Sequence, residues 1–232
     1  NALKKGGSFI FDIDSMYKME TILKDYDEIV HIPMSSGLSG SCQTAMMLAQ
    51  EYDNRVFVVD SQRISVTQKY DVIDAKRLAD QGKSGQEICD ILTENKLNAS
   101  IYITVNTLDY LKKGGRITPA VATLAGLLKI VPIMKLNYDL GGKIDTFGKV
   151  RTAKKANLKI IDHMVNECKV NNKNYVFAIE HVLSEDLALE MKQKLIEQIG
   201  ECEILVRELP AVVGAHMGIG GIGYQYIRKY EE

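Results

Sequence analysis

The chain has 232 residues, of which 46% are hydrophobic and 25% charged, and its formal net charge is −1. This length allows one large domain or two small ones, each with a buried core. The charges are balanced, tryptophan is absent and only 7% of the residues are aromatic. We therefore expect no nucleic-acid partner, and contact with a membrane would be transient if it occurs at all.

The first half of the sequence alternates between strand-like and helix-like segments. Buried strands are predicted at residues 29–34, 55–60 and 100–105, and helices at 41–51 and 68–81. Ser84 and Glu87 predict a capping box at the start of a further helix. Strands separated by helices of this length predict a parallel sheet covered on both faces. Before residue 29 the sequence offers a single strand candidate, residues 9–13. The first unit is therefore short at its start, and we expect it to lack its N-terminal strand.

The second half begins at a glycine-rich bend. Gly114 and Gly115 predict the end of one helix, and Thr118 and Pro119 predict the start of the next. The remaining predicted elements are strands at 130–137 and 143–149 around a turn at 139–142, a helix at 153–170, a strand at 175–180, a helix at 185–199 capped by Ser184, and a strand at 203–209. We place the domain boundary at this bend, which gives an N-terminal α/β domain of residues 1–115 and a C-terminal α/β domain of residues 116–232.

The cysteines lie far apart and form no C-x-x-C pair. They are Cys42, Cys89, Cys168 and Cys202. This spacing argues against a structural zinc site or a redox motif and favours free thiols in a reducing cytosol. No apolar run reaches the roughly 18 residues of a membrane span, and the N-terminus does not have the pattern of a signal peptide. We expect a cytoplasmic protein that needs no metal and no cofactor.

The segment IPMSSGLSGSCQTA, residues 32–45, leads from a predicted strand through a serine-glycine turn into a helix. Unpaired backbone amides and the helix dipole favour an anion at such a turn, and open parallel sheets bind ligands at this edge. The segment lacks the lysine of a Walker A loop and matches neither G-x-G-x-x-G nor G-x-S-x-G. The alternatives are a phosphate, an acyl group, or a capped turn that binds nothing.

Two basic stretches follow. The bend KKGGR places Lys112, Lys113 and Arg116 beside a strongly apolar helix and strand, which predict ordinary core or one wall of a ligand tunnel. Arg151 follows a strand and precedes the long helix, where a cation opposes the helix dipole. It is either a solvated surface charge or the partner of a carboxylate or phosphate ligand.

The last stretch is GAHMGIGGIGYQY, residues 214–226, in which His216 is surrounded by five glycines. Glycine suits neither helix nor strand, so we predict irregular backbone that approaches a ligand closely. The other histidines, His31, His163 and His181, lie in regular patterns that favour structural roles. His216 is therefore the predicted functional histidine.

These four stretches, in this order, resemble the DegV family, the bacterial fatty-acid-binding proteins that serve as FakB-type subunits of fatty acid kinase. The resemblance extends from about Tyr26 to Tyr226. It is carried by DEIVHIPMSSGLSGSCQTA, VVDS, TLDYLKKGGRIT, LLKIVPIMKL, GKVRTAKKA and GAHMGIGGIG. The last of these resembles the family's His-x-Gly-Pro-Gly pattern, with Ile219 in place of the proline.

The resemblance implies two α/β domains with mainly parallel sheets and a long-chain fatty acid bound between them. The residues that would bind its carboxylate are Ser35, Ser36, Gly37, Arg151 and His216. The residues that would line a tunnel for its acyl chain are Leu124, Leu127, Leu128 and Ile133. The partner would be an ATP-dependent fatty acid kinase subunit, which converts the bound acid to an acyl phosphate, while the binding protein itself performs no catalysis.

Part of the family pattern has no counterpart in this sequence. The family's first strand, with its Asp-Ser, and its Thr-Ser-x-Pro-Ser motif cannot be aligned with GGSFIFDIDSMYKME at the start of the chain. Ser8 and Ser15 are the residues that could substitute for the missing hydroxyl. This difference concerns the first unit only.

The rival hypothesis is a serine-dependent acyl-transfer or hydrolytic enzyme with Ser36 as nucleophile and His216 as base. Such an enzyme needs an acidic residue that orients the histidine, and an oxyanion hole. Asp60, at the end of a predicted strand, is a candidate for the acidic residue. A purely structural interaction domain is the third hypothesis.

Overall fold

The computed structural model describes residues 8–9, 19–124 and 130–230 of the chain. The chain forms two compact units, one of residues 1–98 and 138–142 and the other of residues 99–137 and 143–232. The chain therefore passes between the units after residues 98, 137 and 142.

The first unit is built on a parallel sheet of three strands in the order β1-β2-β3. Its elements are β1 (Ser8–Phe9), α1 (Met19–Ile22), β2 (Glu28–His31), α2 (Ser41–Ala49), β3 (Val56–Val58), α3 (Ser65–Asp80), α4 (Gly85–Glu94) and a 3₁₀ turn (Asn95–Asn98). Ile29 of β2 and Ala45 of α2 are fully buried and pack with Val56 of β3. The predicted parallel pairing is confirmed for the strands at 29–34 and 55–60.

The start of the chain is described only in part. The short strand β1 lies parallel to β2 and includes Phe9, the first residue of the strand candidate at 9–13. The rest of that candidate and Ser15 lie outside the described residues. Within the described residues, the structure thus has a strand ahead of β2 where the sequence predicted that the N-terminal strand is lacking.

The predicted capping box is confirmed at the start of α4. The Ser84 hydroxyl accepts a hydrogen bond from the Glu87 backbone N–H at 3.3 Å, and the Glu87 carboxylate accepts one from the Ser84 backbone N–H at 2.9 Å. This backbone hydrogen bond, together with those from Lys83 and Ser84 side chains, lowers the pKa of Glu87 to about 2. The local pattern S-x-x-E was sufficient to predict this geometry.

The second unit is built on a sheet of six strands in the order β6-β5-β4-β9-β7-β8. Its elements are β4 (Ala99–Thr104), α5 (Asp109–Gly114), α6 (Pro119–Ala122), β5 (Val131–Asn137), β6 (Lys143–Val150), α7 (Ala153–Cys168), a 3₁₀ turn (Lys169–Asn174), β7 (Tyr175–His181), α8 (Glu185–Ile199), β8 (Glu203–Glu208), α9 (Ala211–Met217) and β9 (Ile222–Arg228). Helices α7 and α8 bury Ile160, Met164 and Leu195 in a common core with Phe177 and Tyr224 of the sheet.

The α/β class is confirmed, but two predictions about the sheets are wrong. Among the described strands of the second sheet, β7 and β8 are the one parallel pair of neighbours, so mainly parallel pairing describes the first sheet and not the second. The strand at 100–105 was assigned to the parallel sheet, but as β4 it pairs antiparallel with β5 and β9. The reason is that β9, from the end of the chain, inserts between β4 and β7. Sequence order does not reveal such an insertion.

The prediction of irregular backbone at 214–226 is also wrong. His216 lies in the last turn of α9, and residues from 222 onward form the central strand β9. Ile222, Tyr224 and Tyr226 alternate along this strand and are buried in the core on one face. The period of two is present in the sequence, but the five glycines between residues 214 and 223 outweighed it in the prediction.

The helix boundaries around the glycine-rich bend are confirmed. Gly115 ends α5 in the left-handed conformation, with φ at 69°. Thr118 caps α6 by accepting a hydrogen bond from the Val121 backbone N–H, and Pro119 follows it. Ser184 precedes α8 as predicted, but its hydroxyl donates to the Val182 carbonyl at 3.3 Å and does not cap the helix.

Candidate functional site

The serine turn, residues 35–39, lies directly after β2 in the first unit. Ser35 is fully buried, and its backbone N–H donates to the Arg63 carbonyl at 2.8 Å. The Ser35 carbonyl accepts the backbone N–H groups of Leu38 at 3.0 Å and Ser39 at 3.2 Å. These bonds fold the turn back on itself before α2 begins at Ser41, as the sequence predicted for a strand, turn and helix.

The Ser35 hydroxyl donates one hydrogen bond and accepts another. It donates to the Gly142 carbonyl at 2.9 Å and accepts from the Gly37 backbone N–H at 3.3 Å. Two of the predicted carboxylate ligands, the Ser35 hydroxyl and the Gly37 amide, therefore hydrogen-bond to each other. A hydroxyl has one proton to donate, and here the Gly142 carbonyl takes it.

Ser36 presents the hydroxyl of the turn that remains for a ligand. Its backbone N–H donates to Oδ1 of Asp60 at 3.2 Å, and the residue is half-buried. Within the described part of the chain its hydroxyl takes no part in the hydrogen bonds that hold the turn together. Burial raises the pKa of the neighbouring Cys42 thiol to about 12, and the negative charge of Asp60 adds to that shift.

The carboxylate of Asp60 changes what the turn can bind. A carboxylate that accepts the Ser36 amide removes one donor that an anion would use, and its charge repels a second anion. At the start of α2 one backbone amide is also used locally, because the Ser39 hydroxyl accepts the Ser41 backbone N–H at 3.2 Å, whereas Gly40 at the N-cap position provides no side-chain cap. An anionic ligand at Ser36 would therefore need positive charge from elsewhere.

A buried polar cluster holds the loop that supports the turn. Arg63 is only 2% exposed, and its guanidinium forms an ion pair with Asp71 of α3 and donates to the Asn95 carbonyl. Gln68 of the same helix donates to the Ile32 carbonyl at 2.9 Å, at the entry to the turn. Burial raises the pKa of both Asp71 and Asp74 to about 6. The sequence offered no signal for this cluster, because an arginine and an aspartate eight residues apart form no motif.

In the second unit, the structure brings two of the predicted stretches together. His216 is half-buried at the end of α9, and its ring lies against Gly114 of α5. A Cβ atom on Gly114 would lie 2.6 Å from Nδ1 of His216, so only glycine leaves room for the imidazole there. Farther along, the Asn106 side chain donates to the Ile219 carbonyl at 3.1 Å. The glycine-rich segment therefore packs along residues 106–114 of the same unit.

Arg151 is exposed in the connection between β6 and α7. The next residue, Thr152, starts the helix, because its hydroxyl accepts the Lys155 backbone N–H at 3.2 Å. Across residues 19–124 and 130–230, no carboxylate forms an ion pair with the Arg151 guanidinium. The cation is thus positioned next to a helix N-terminus, as predicted.

The predicted tunnel residues are described in part. Leu124 is 7% exposed and Ile133 is fully buried, whereas Leu127 and Leu128 lie outside the described residues. The Thr118 hydroxyl donates to Asp145 of β6 at 2.6 Å, which ties the start of α6 to the hairpin formed by β5 and β6 and lowers the pKa of Asp145. Leu124 follows α6, so this bond fixes the backbone that carries it.

The described residues show neither a metal-binding cluster nor a membrane-spanning helix. All four cysteines are free thiols, as predicted. The described residues contain no cluster of three or more His, Cys, Asp or Glu side chains suited to a metal ion. None of the described helices has the length and hydrophobicity needed to cross a membrane.

The fold and the serine turn define a two-unit α/β protein with a polar turn at the carboxyl edge of a parallel sheet. Its sequence matches the model of the DegV family, described as "Uncharacterised protein, DegV family", over residues 10–229. The chain therefore belongs to the DegV family, and the resemblance that its motifs predicted is confirmed.

Relatives and solved structures agree with this assignment. A DegV domain-containing protein of Clostridium perfringens is 30% identical over 223 residues, which are 94% of this chain and 77% of the relative. A Thermus thermophilus structure described as fatty acid binding of a DegV family protein has a TM-score of 0.80 and 30% identity, covering 93% of this chain and 76% of that one. The Bacillus subtilis structure of DegV, described as a fatty acid binding protein, has a TM-score of 0.79 and 28% identity, with the same coverage.

Proposed function

We propose that the protein binds a long-chain fatty acid and presents it to an ATP-dependent kinase. The observation that carries the proposal is the hydroxyl of the half-buried Ser36, which the hydrogen bonds of the turn leave for a ligand. The fatty-acid-binding descriptions of the Thermus thermophilus and Bacillus subtilis relatives support the choice of ligand. Among the predicted carboxylate ligands, we assign direct contacts to Ser36, His216 and Arg151, and a supporting role to Ser35 and Gly37.

The charges around the turn support the need for both His216 and Arg151. Asp60 places a negative charge at the Ser36 amide, so a fatty acid carboxylate requires a compensating cation. The Arg151 guanidinium is exposed and can bind a carboxylate through two parallel hydrogen bonds. His216 supplies a further donor from the second unit.

The acyl chain supplies most of the binding energy in this proposal. Burial of each CH₂ group contributes about 0.8 kcal/mol, so a long chain gains on the order of 10 kcal/mol before the costs of ordering. Leu124 and Ile133 of the second unit are the buried apolar residues that we assign to the chain. The carboxylate contacts then fix orientation and register.

Titration of delipidated protein with oleate by isothermal calorimetry tests the binding. We expect Ser36→Ala to weaken binding at least about 10-fold, the loss of one charge-assisted hydrogen bond. Ser39→Ala is the matched control, because Ser39 is a half-buried serine of the same turn whose hydroxyl accepts the Ser41 amide. We expect a change of less than about 2-fold for it. Absence of oleate binding by the wild-type protein would refute the proposed function.

The kinase step has its own test. A carboxylate oxygen of the bound acid attacks the γ-phosphorus of ATP, the bond from that phosphorus to the ADP oxygen breaks, and acyl phosphate and ADP are formed. Oleate-loaded protein, ATP and a fatty acid kinase subunit should give oleoyl hydroxamate after trapping with hydroxylamine. The loaded protein with ATP alone should give none. An oleoyl adduct on Ser36 in the intact mass would instead indicate the serine-dependent enzyme.

A further inference from the structure

The tip of the hairpin between β5 and β6 belongs to the same compact unit as the serine turn. Its strands are part of the second unit, but residues 138–142 group with the first. The tip consists of a 3₁₀ turn, Tyr138–Leu140, followed by Gly141 and Gly142 with φ at 67° and 72°. Both glycines thus have the left-handed backbone that disfavours other residues.

Gly142 contacts the turn through the Ser35 hydroxyl. The two residues are 107 positions apart, both are buried, and the hydrogen bond from Ser35 Oγ to the Gly142 carbonyl is 2.9 Å long. Because this bond uses the one hydroxyl proton, a lone pair of the same oxygen is left to accept the Gly37 amide. The hairpin tip therefore fixes the orientation of the Ser35 hydroxyl. This hydroxyl in turn binds the Gly37 amide, so it holds the residues on both sides of Ser36.

The contact leaves no space for a side chain. A Cβ atom on Gly142 would lie 2.1 Å from Ser35 Oγ and 2.8 Å from Cβ of Gln62. Gln62 itself has a φ of 55° and precedes Arg63, whose carbonyl accepts the Ser35 amide. The tip, the turn and the loop at 60–64 thus meet around Ser35. A Cβ atom on the neighbouring Gly141, by contrast, would have nothing within 4 Å.

We infer that Gly142 and Ser35 are positioning residues for the carboxylate site, and that Ser36 is the serine that contacts the ligand. The hairpin tip acts through the Ser35 hydroxyl on the backbone of residues 35–37 and so on the placement of the Ser36 hydroxyl. This inference rests on the proposed function. It assigns to the hairpin tip a role in ligand affinity that no sequence motif indicates.

Gly142→Ala and Gly141→Ala form a matched pair for the test. Both substitutions place a Cβ atom on a left-handed residue of the same tip, but only the first collides with Ser35. The readout is the dissociation constant for oleate divided by that for oleyl alcohol, measured on the delipidated full chain. The two ligands have the same chain and differ in the carboxylate, so a general loss of packing changes both affinities alike and leaves the ratio constant.

We expect Gly142→Ala to weaken oleate binding at least about 10-fold and to change oleyl alcohol binding by less than about 2-fold, while Gly141→Ala retains the wild-type ratio. An equal ratio for the two variants would overturn the inference. Ser35→Ala, which adds no bulk, replaces Gly142→Ala if that variant fails to fold, and it should shift the ratio in the same direction. A shifted ratio in Ser35→Ala with an unchanged ratio in folded Gly142→Ala would also overturn it, because Ser35 would then contact the ligand directly. Wild-type protein that binds neither ligand would refute the proposed function itself.

Discussion

The serine turn of the first unit and the His216 segment of the second are positioned in different ways. The turn is held by hydrogen bonds to groups that are far away in sequence, namely the half-buried Asp60, 24 residues on, and the buried Gly142, 107 residues on. His216 is half-buried and its ring rests on a glycine, while Arg151 is exposed. The serine turn is therefore preorganised by hydrogen bonds to groups far away in sequence, whereas the His216 ring is placed by packing against Gly114 and the Arg151 side chain is exposed.

This difference has an energetic consequence. Groups held in the binding geometry before the ligand arrives lose little entropy on binding, whereas exposed side chains must be ordered at a cost of about 0.5–1.5 kcal/mol each. Substitutions of the residues that support the serine turn should therefore lower both the free energy of unfolding and the affinity for the ligand. Substitutions near His216 should affect affinity with little change in stability.

The largest effect is expected for Arg63→Met. The substitution leaves the Asp71 carboxylate buried without its ion-pair partner, which should lower the free energy of unfolding by about 3 kcal/mol. Urea unfolding followed by circular dichroism measures this change. Arg77→Met is the control, because Arg77 is 56% exposed and 3.6 Å from Asp74, and it should cost less than about 1 kcal/mol. Equal losses in the two variants would show that the buried pair does not hold the turn.

Gly114→Ala should lower the affinity for oleate and leave the free energy of unfolding nearly unchanged. Its Cβ atom would lie 2.6 Å from Nδ1 of His216 and displace the ring, so we expect oleate to bind about 10-fold more weakly. Unfolding should change little, since alanine favours the end of α5 more than glycine does. Gly214→Ala, on the helix that carries His216, is the control because its Cβ would make an ordinary 3.4 Å contact with Val182.

A double substitution separates the displaced ring from other effects of Gly114→Ala. In a His216→Ala background the added Cβ meets no imidazole, so the Gly114→Ala effect on oleate affinity should disappear. A 10-fold loss that persists in this background would contradict the assignment of His216 to the carboxylate.

The smallest effect concerns the pH dependence of the first unit. Burial raises the pKa of Asp74 to about 6 in the folded chain, compared with about 3.9 for an unperturbed aspartate. The folded state then binds more protons than the unfolded state between these values, so stability falls as the pH rises from about 4 to 7. Relative to Asp74→Asn, the wild-type protein should lose about 1 kcal/mol of unfolding free energy between pH 5 and pH 7.

Asp80→Asn provides the control for this titration. Asp80 is 47% exposed in a surface pair with Lys76 on the same helix, so its removal should leave the pH profile parallel to that of the wild type. If Asp74→Asn and wild-type protein also gave parallel profiles, Asp74 would not be the titrating group.

Local sequence signals predicted the elements of the fold well where one short motif determines the geometry. The capping box at Ser84 and Glu87 and the Thr118–Pro119 helix start are examples. Pairing between distant segments could not be predicted in the same way. Strand β9 was missed because the five glycines between residues 214 and 223 favoured irregular backbone, and the sheet of β4 was assigned wrongly as a result.

The candidate site shows the same division. The motif at 32–45 indicated a polar turn after a strand, but it did not reveal which hydroxyl is free. That distinction depends on Gly142, and the support behind the turn depends on Arg63 and Asp71. The contact of His216 with Gly114 likewise joins two stretches that are far apart in the sequence, so no local motif could predict it.

Native mass spectrometry of the purified protein, followed by organic extraction and identification of what is released, tests whether the chain binds a fatty acid. We expect one long-chain fatty acid per chain, or its uptake at that stoichiometry when oleate or palmitate is added to delipidated protein. If the protein is purified empty and takes up neither acid, it is not a fatty-acid-binding protein, and the serine turn is then a capped turn that binds nothing.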